Sequence, residues 1–426
     1  MVDAERAIAG LRELARLTSD DAGAQRVAWT DTWATAREWL RGEFDAIPGV
    51  VVDTDQAGNT WAALAGDSER FVIVGSHLDS VPDGGWLDGA LGVVAGLEIL
   101  RALAGEPRPL TVKLVDWADE EGARFGRSLL GSSACAGSLH PGAVRGLTDR
   151  DGVALPDALA AFGVDLDRAG ESHERLRGAT AYLELHIEQG PVLERLGLPL
   201  GVVLGTFGVE RHRVRFTGAH AHAGASPMDA RRDAFLAAAR SAVAFRDDAA
   251  RRADVRATTG SVRVSPGIAT AFNGVCDLTL DQRALDPGEL ADMLASAREA
   301  AARLAAEEGC EVEFEHVWAI EPIPFDARLI ELAEDVVTGL AGSCQRLPSG
   351  PLHDAAEMAR VMPAAMLFVR SLGGVSHTRA EDSPIEDLEL AVRALYELTR
   401  RTAIDRVAIR EAADSDRRAM GRPPRG

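Results

Sequence analysis

The sequence predicts an α/β fold, a mixed sheet covered by helices, with a smaller domain inserted into it, and three observations carry that prediction. From about residue 70, short β-rich apolar runs alternate with longer helical periods, the rhythm of a sheet with helices on both faces. Between residues 211 and 319 the rhythm becomes strand, helix, strand, strand, helix, strand. At 426 residues the chain is too long for one simple core, so a discontinuous domain over 1–210 and 320–426 is expected around the 211–319 insert.

In chain order, "RFVIVGSHLDS" reads as a strand that ends at Gly75-Ser76-His77, and "GALGVVAGLEILRAL" as a buried helix. "LTVKLVDWADEE", "ATAYLELHIEQG" and, much later, "AAMLFVRSLGGVSHT" are further strands. Inside the insert, "VERHRVRFTG" is a strand and "PMDARRDAFLAAARSAVAFRDDAARRA" a long helix. "TTGSVRVSPG" and "VCDLTLDQRAL" are two strands, and a capping box at Asp286-Pro287-Gly288-Glu289 opens a second helix before the strand "CEVEFEHVW". That βαββαβ order is the ferredoxin-like unit. The tail "SDRRAMGRPPRG" lacks an apolar face and is expected to be disordered.

Composition excludes several classes of function. Sixty-six acidic against 46 basic residues give a net charge of −20, which repels nucleic acid and anionic membranes. No apolar run approaches the roughly 18 residues of a membrane span. The opening "MVDAERAIAGLRELARL" is charged and helical in pattern, without the parts of a signal peptide. Cys135, Cys276, Cys310 and Cys344 lie far apart without CxxC spacing, so a reducing, cytoplasmic setting is expected.

Ligand groups in open α/β sheets gather at the carboxyl ends of strands. Four strands here end in side chains able to hold a metal: His77, the run Asp119-Glu120-Glu121, His186 and His377. Asp88 precedes a helix, where unsatisfied N–H groups favour a carboxylate. A single histidine in a chain of this length is more often a surface or satisfied core residue. Five candidates that each follow a strand or open a helix, beside Gly or Ser, are not readily explained that way. Three imidazoles and two carboxylates suit two divalent ions with one carboxylate bridging. Glu121 would then hold metal while Glu120 moves the proton.

"GSHLDSVPDGGWLDGALGV", "DEEGARF", "ELHIEQGPVLE", "HAHAGASPMDARRDA" and "GGVSHTRAED" together resemble the M20 metallopeptidase family. Within it they are similar to the amidase branch of N-carbamoyl-L-amino-acid hydrolases, allantoate amidohydrolases and β-ureidopropionases. The branch mark is His186, where peptidase relatives commonly place a carboxylate. The resemblance implies one ion on His77, Asp88 and His186, and another on Asp88, Glu121 and His377. Zn2+ is the expected metal, with Mn2+, Co2+ or Ni2+ compatible with the same donors. It further implies that Asp79 orients His77, that Gln189 lines the substrate pocket and that His222 stabilises an oxyanion. Arg283 would take the substrate carboxylate in bidentate fashion, and the insert would serve as lid and homodimer contact.

Three positions depart from the family pattern. Thr270 stands where relatives carry a carboxylate-binding Asn, with Asn273 nearby; Ala221 replaces an Asn or Asp, and Leu352 a Gly. The expected function is metal-dependent hydrolysis of the C–N bond of an N-carbamoyl-L-amino acid or related ureido compound, giving amine, CO2 and ammonia. The alternatives are allantoate hydrolysis, an M20 dipeptidase or N-acyl amino-acid hydrolase, and a non-catalytic binding protein. The expected partners are a small carboxylate-bearing ureido or amide substrate and a second copy of the chain.

Overall fold

The computed structural model describes residues 1–419, with side chains through residue 403. The strands, in chain order, are β1 (Val50–Thr54), β2 (Thr60–Leu64), β3 (Phe71–His77), β4 (Thr111–Trp117), β5 (Ala179–Ile187), β6 (Leu200–Thr206), β7 (Gly208–Thr217) and β8 (Ala221–His222). They continue with β9 (Arg256–Thr258), β10 (Val262–Ser265), β11 (Ala271–Phe272), β12 (Val275–Ala284), β13 (Glu311–Ile320), β14 (Ile323–Pro324), β15 (Gln345–Ser349) and β16 (Ala364–Val369). Two compact units result. The first comprises residues 1–204, 325–347 and those from 352 onward, and the second 205–324 with 348–351.

The large sheet of the first unit runs β1-β2-β4-β3-β5-β16-β6. Its centre is parallel, β4-β3-β5-β16, and antiparallel strands flank it on both sides. Every residue of β3 is buried, which matches its unbroken apolar run, since a parallel strand is covered on both faces. Helix Ala90–Leu103 is buried on all sides from Ala90 to Leu100, as a helix apolar all round must be. Gly92 makes that packing feasible: a Cβ there would press on the Leu185 carbonyl and the Ser76 side chain. Helix Ala4–Thr18 is capped by Asp3, and its Arg6 reaches the buried Glu98 carboxylate at 2.7 Å.

In the second unit the sheet order is β10-β12-β7-β13, antiparallel throughout, with β9 added to β12. β12 alternates strictly, with Cys276, Leu278, Leu280, Gln282 and Ala284 buried. The first three pack with Ala234, Ala237, Ala238 and Phe245 of helix Ala234–Ala250 and with Ala297, Ala301 and Ala305 of helix Pro287–Glu307. The opposite face carries cross-strand ion pairs, Arg211–Asp281 at 2.6 Å, Arg213–Glu315 at 3.0 Å and Arg215–Asp277 at 2.7 Å.

Several expectations need adjustment. The helix expected from Pro227 begins at Ala234, because Asp233 caps it through the Phe235 and Leu236 N–H groups, and Met228–Ala230 forms a separate 3-10 turn. Asp286 does cap the second helix, accepting from Glu289 N at 2.8 Å. The last helix runs Ile385–Ala419, so the tail expected to be disordered from Ser415 is helical as far as Ala419; residues 420–426 lie outside the described residues. Among the described residues no helix is long and apolar enough to cross a membrane.

Candidate metal centre

β3 and β5 are parallel neighbours in the sheet, so His77 and His186 leave the same sheet edge from adjacent strands. Their rings lie 5.9 Å apart, nearly stacked. Each ring sets its Nδ1 against a main-chain carbonyl, His77 on Asp79 O and His186 on Ile187 O, both at 3.0 Å. A carbonyl only accepts, so in their neutral form both rings carry their proton at Nδ1 and present Nε2 as a lone pair, the tautomer a metal ligand needs. These Nε2 atoms converge on Asp88 Oδ1, His77 at 3.6 Å and His186 at 3.1 Å. The other Asp88 oxygen faces His377 Nε2 at 3.4 Å, and that imidazole lies 3.5 Å from Glu121 Oε2. Two potential donor sets therefore share Asp88: His77, Asp88, His186 and Asp88, Glu121, His377.

The backbone at the centre is specialised. Gly89 has φ +62, and a Cβ there would be driven into the His77 ring. Asp119, Gln189 and His377 are non-glycine residues with positive φ, a local strain common at functional sites. The Asp119 turn is held from two sides: Trp29 Nε1 donates to Asp119 Oδ2 at 2.8 Å, and the Glu120 and Glu121 N–H groups donate to the two oxygens of Asp79 at 3.2 and 3.1 Å. Asp79 was expected to orient His77 through the ring nitrogen that faces away from the metal. Its main-chain carbonyl sits closer to the ring, while its carboxylate braces the acidic turn.

Electrostatics follow from burial. Burial pushes Glu120 well above the usual carboxylate range, opposed by His77 and reinforced by Asp354, Glu121 and Asp79. Glu121 is pushed up to about 8, by burial first and then by Asp88, and Asp119 to about 7, by burial and Asp79. Burial alone would lower His77, but Glu120, Asp79 and Asp88 outweigh it and hold the imidazole well above its ordinary value. Asp88 lies far below the carboxylate range because His186 and His77 face it. The Nε2 of His77 and the Oε1 atoms of Glu121 and Gln189 are buried without a hydrogen-bond partner. Unpaired donor atoms from imidazole and carboxylate, around one shared aspartate, fit divalent cations.

Some contributors were not anticipated. Ser376 Oγ donates to Asp88 Oδ2 at 2.8 Å, and Glu381 Oε1 accepts the N–H groups of Leu87 and Asp88 at 3.0 and 2.9 Å. Gln189, expected in the substrate pocket, donates from Nε2 to the same Asp88 oxygen at 2.8 Å. His353 is buried with its ring 4.4 Å from that of His186, and Asp354 beside it is buried with neither oxygen hydrogen-bonded. Only the placing of an imidazole and an acid at a helix start in "SGPLHDAAEMA" signalled these two.

The remaining predicted residues belong to the second unit. His222 lies on β8, paired with β11, and its Nδ1 accepts the Gly224 N–H at 3.1 Å. The neutral ring therefore carries its proton at Nε2 as a donor. Arg283, on β12, is held through Nε by Asp281 at 2.9 Å. The Thr270 carbonyl accepts from Ala223 N at 2.8 Å. Asn273 Oδ1 accepts from Gly267 N at 2.9 Å, which commits that oxygen to its own loop.

A parallel-centred α/β sheet that gathers imidazoles and carboxylates around a shared aspartate, with a raised glutamate beside them, defines a metal-dependent hydrolase. The chain belongs to peptidase family M20/M25/M40, whose family model matches residues 73–401. It is 35% identical, over 93% of its length and 98% of the relative's, to an N-carbamoyl-L-amino acid amidohydrolase of Geobacillus stearothermophilus. An allantoate amidohydrolase of Bacillus subtilis is 32% identical over 89% of this chain and 93% of the relative. Among solved structures, an amidase of the hydantoinase/carbamoylase family from Burkholderia multivorans superposes with a TM-score of 0.83 at 32% identity, covering 94% of this chain and 98% of that one.

Proposed function

We propose that the protein hydrolyses the C–N bond of an N-carbamoyl-L-amino acid, or a close ureido analogue, to amine, CO2 and ammonia. The observation that carries this reading is the match to the Geobacillus carbamoyl-amino-acid amidohydrolase over 98% of its length. His77, Asp88 and His186 would hold one divalent ion and Asp88, Glu121 and His377 another. Such ions supply charge to polarise the ureido carbonyl and acidify water.

The chain's own residues do the rest. Glu120 takes the proton of the attacking water at a carboxylate oxygen and returns it to the leaving nitrogen; a carboxylate raised by burial holds that proton more readily between the two steps. His222, with its proton at Nε2, donates to the developing oxyanion. Arg283 binds the substrate carboxylate with the guanidinium nitrogens that Asp281 leaves available, while Gln189 borders the pocket beside Asp88. Thr270 and Asn273 would shape the carboxylate end. Two helices on one face of the β10-β12-β7-β13 sheet are compatible with the expected ferredoxin-like unit, which would serve as a lid over substrate. The exposed Val317 and Trp318 on edge strand β13 support a homodimer, and four free cysteines suit a reducing cytoplasm.

Ammonia release from N-carbamoyl-L-amino acids, 3-ureidopropionate and allantoate, each with metal-reconstituted protein and with Glu120→Gln, tests the proposal. Turnover of a carbamoyl amino acid that Glu120→Gln abolishes is expected. Turnover of allantoate alone would move the protein to the second reading, which the Bacillus relative favours. Turnover that survives exhaustive chelation would refute the metal-dependent mechanism.

A further inference from the structure

The second unit contains a cavity of about 440 Å3 against its two helices, bordered by residues of both and by one residue of the sheet beneath. That volume falls in the range of small-molecule sites, roughly 300–1,000 Å3. The sheet residue is Gln282, only 2% exposed, and its Oε1 is buried without a hydrogen-bond partner. A buried amide oxygen left unpaired is uncommon in a well-packed domain and asks for an N–H or O–H donor. Phe245 and Met293, both buried, give the cavity apolar surface, and its charged lining is Arg251 and Arg303 with Asp247, Asp248 and Glu299; Arg251 pairs with Asp248 at 3.3 Å and Arg303 with Glu307 at 2.9 Å, each through one guanidinium nitrogen.

We propose that this cavity is a binding site for a free amino acid. The ammonium donates to Gln282 Oε1 beside the acidic side of the lining, the carboxylate meets the guanidinium nitrogens of Arg251 or Arg303 that Asp248 and Glu307 leave unengaged, and the side chain lies on Phe245 and Met293. Lining charges of both signs disfavour a plain anion or a plain cation and favour a zwitterion. Strict alternation on β12 sends Gln282 to the helix face and Arg283 to the other, so the ligand sits one residue from the arginine proposed to hold substrate. On the proposed reaction the product is itself an amino acid, and occupancy would register its level; that consequence, not the site, rests on the reaction.

The test is a titration of full-length protein, labelled with 13C-methyl methionine, with L-leucine. The Met293 resonance is assigned by Met293→Leu. It should shift saturably. Gln282→Met, which removes the unpaired oxygen at similar volume, should weaken the response roughly 3- to 10-fold with thermal stability unchanged or raised. Ala300→Trp, which fills the cavity, should abolish it. A Met293 signal that L-leucine leaves unmoved, or that moves equally in both cavity variants, overturns the proposal. A silent ureido assay alongside a shifting Met293 would retire the reaction and leave the site standing.

Discussion

On the proposed mechanism Glu120 joins two demands that conflict elsewhere on a protein surface: it is buried, and it must exchange a proton. Glu120→Gln keeps shape and removes that exchange, so kcat should fall about 10²- to 10⁴-fold with metal content, read by atomic emission, unchanged. Loss of metal instead would mean that Glu120 is a ligand. Gly89 is decisive in another way. Gly89→Ala forces an L-residue into positive φ, at about 1–2 kcal/mol, and displaces the His77 ring; reduced metal content is expected even where the fold persists by circular dichroism. His222→Ala should lower kcat about 10²- to 10³-fold and leave the metal untouched, a split that separates the oxyanion role from the ligand role.

At the scale of elements, the segment Ser376–Glu381 clasps the loop that presents Asp88, with Ser376 on its carboxylate and Glu381 on its backbone. Glu381→Ala removes the acceptor of the Leu87 and Asp88 N–H groups, and metal affinity should drop about 10- to 100-fold. Glu381→Gln, which keeps one carbonyl oxygen, should recover part of it. Such clasps mark the boundary of what was legible in the sequence. β3, β4, β5 and β16 were readable because each is an apolar run ending in a polar group, and their edge assembled the candidate donors. The β1–β2 hairpin and β6 escaped notice: β1 is a short edge strand, three valines followed by Asp-Thr, and none of its residues is buried. Asp79 was legible as a neighbour of His77, but that its main-chain carbonyl makes the contact to Nδ1 leaves no trace in residue identity. His353 and Asp354 escaped because their meaning lies in their distance from His186 and Glu120 rather than in spacing along the chain.

For the whole molecule, the proposed ligation links metal, protons and stability. Glu121 has its folded pKa raised to about 8 from an ordinary 4.5. A group raised in the folded state contributes stability that is present below its unfolded pKa and is lost as pH rises through the folded value. The metal-free chain should therefore lose stability between about pH 5 and 8. Ligation requires the deprotonated carboxylate, so the metal-loaded chain should gain relative to it over the same window. The difference in Tm between reconstituted and chelated protein should thus widen from pH 6 to pH 8; a gap that narrows would contradict the linkage.

His377 introduces an asymmetry in time. Its side chain is 49% exposed, whereas those of His77 and His186 are 1% exposed. On the proposed ligation, a solvent-facing ligand can be released and replaced by water without opening the sheet edge, so the position His377 would share with Glu121 is the one from which an ion would leave first. Exchange should run in two phases, a fast one governed by His377 and a slow one that waits for the buried imidazoles, and brief chelation should yield a half-loaded protein before an empty one.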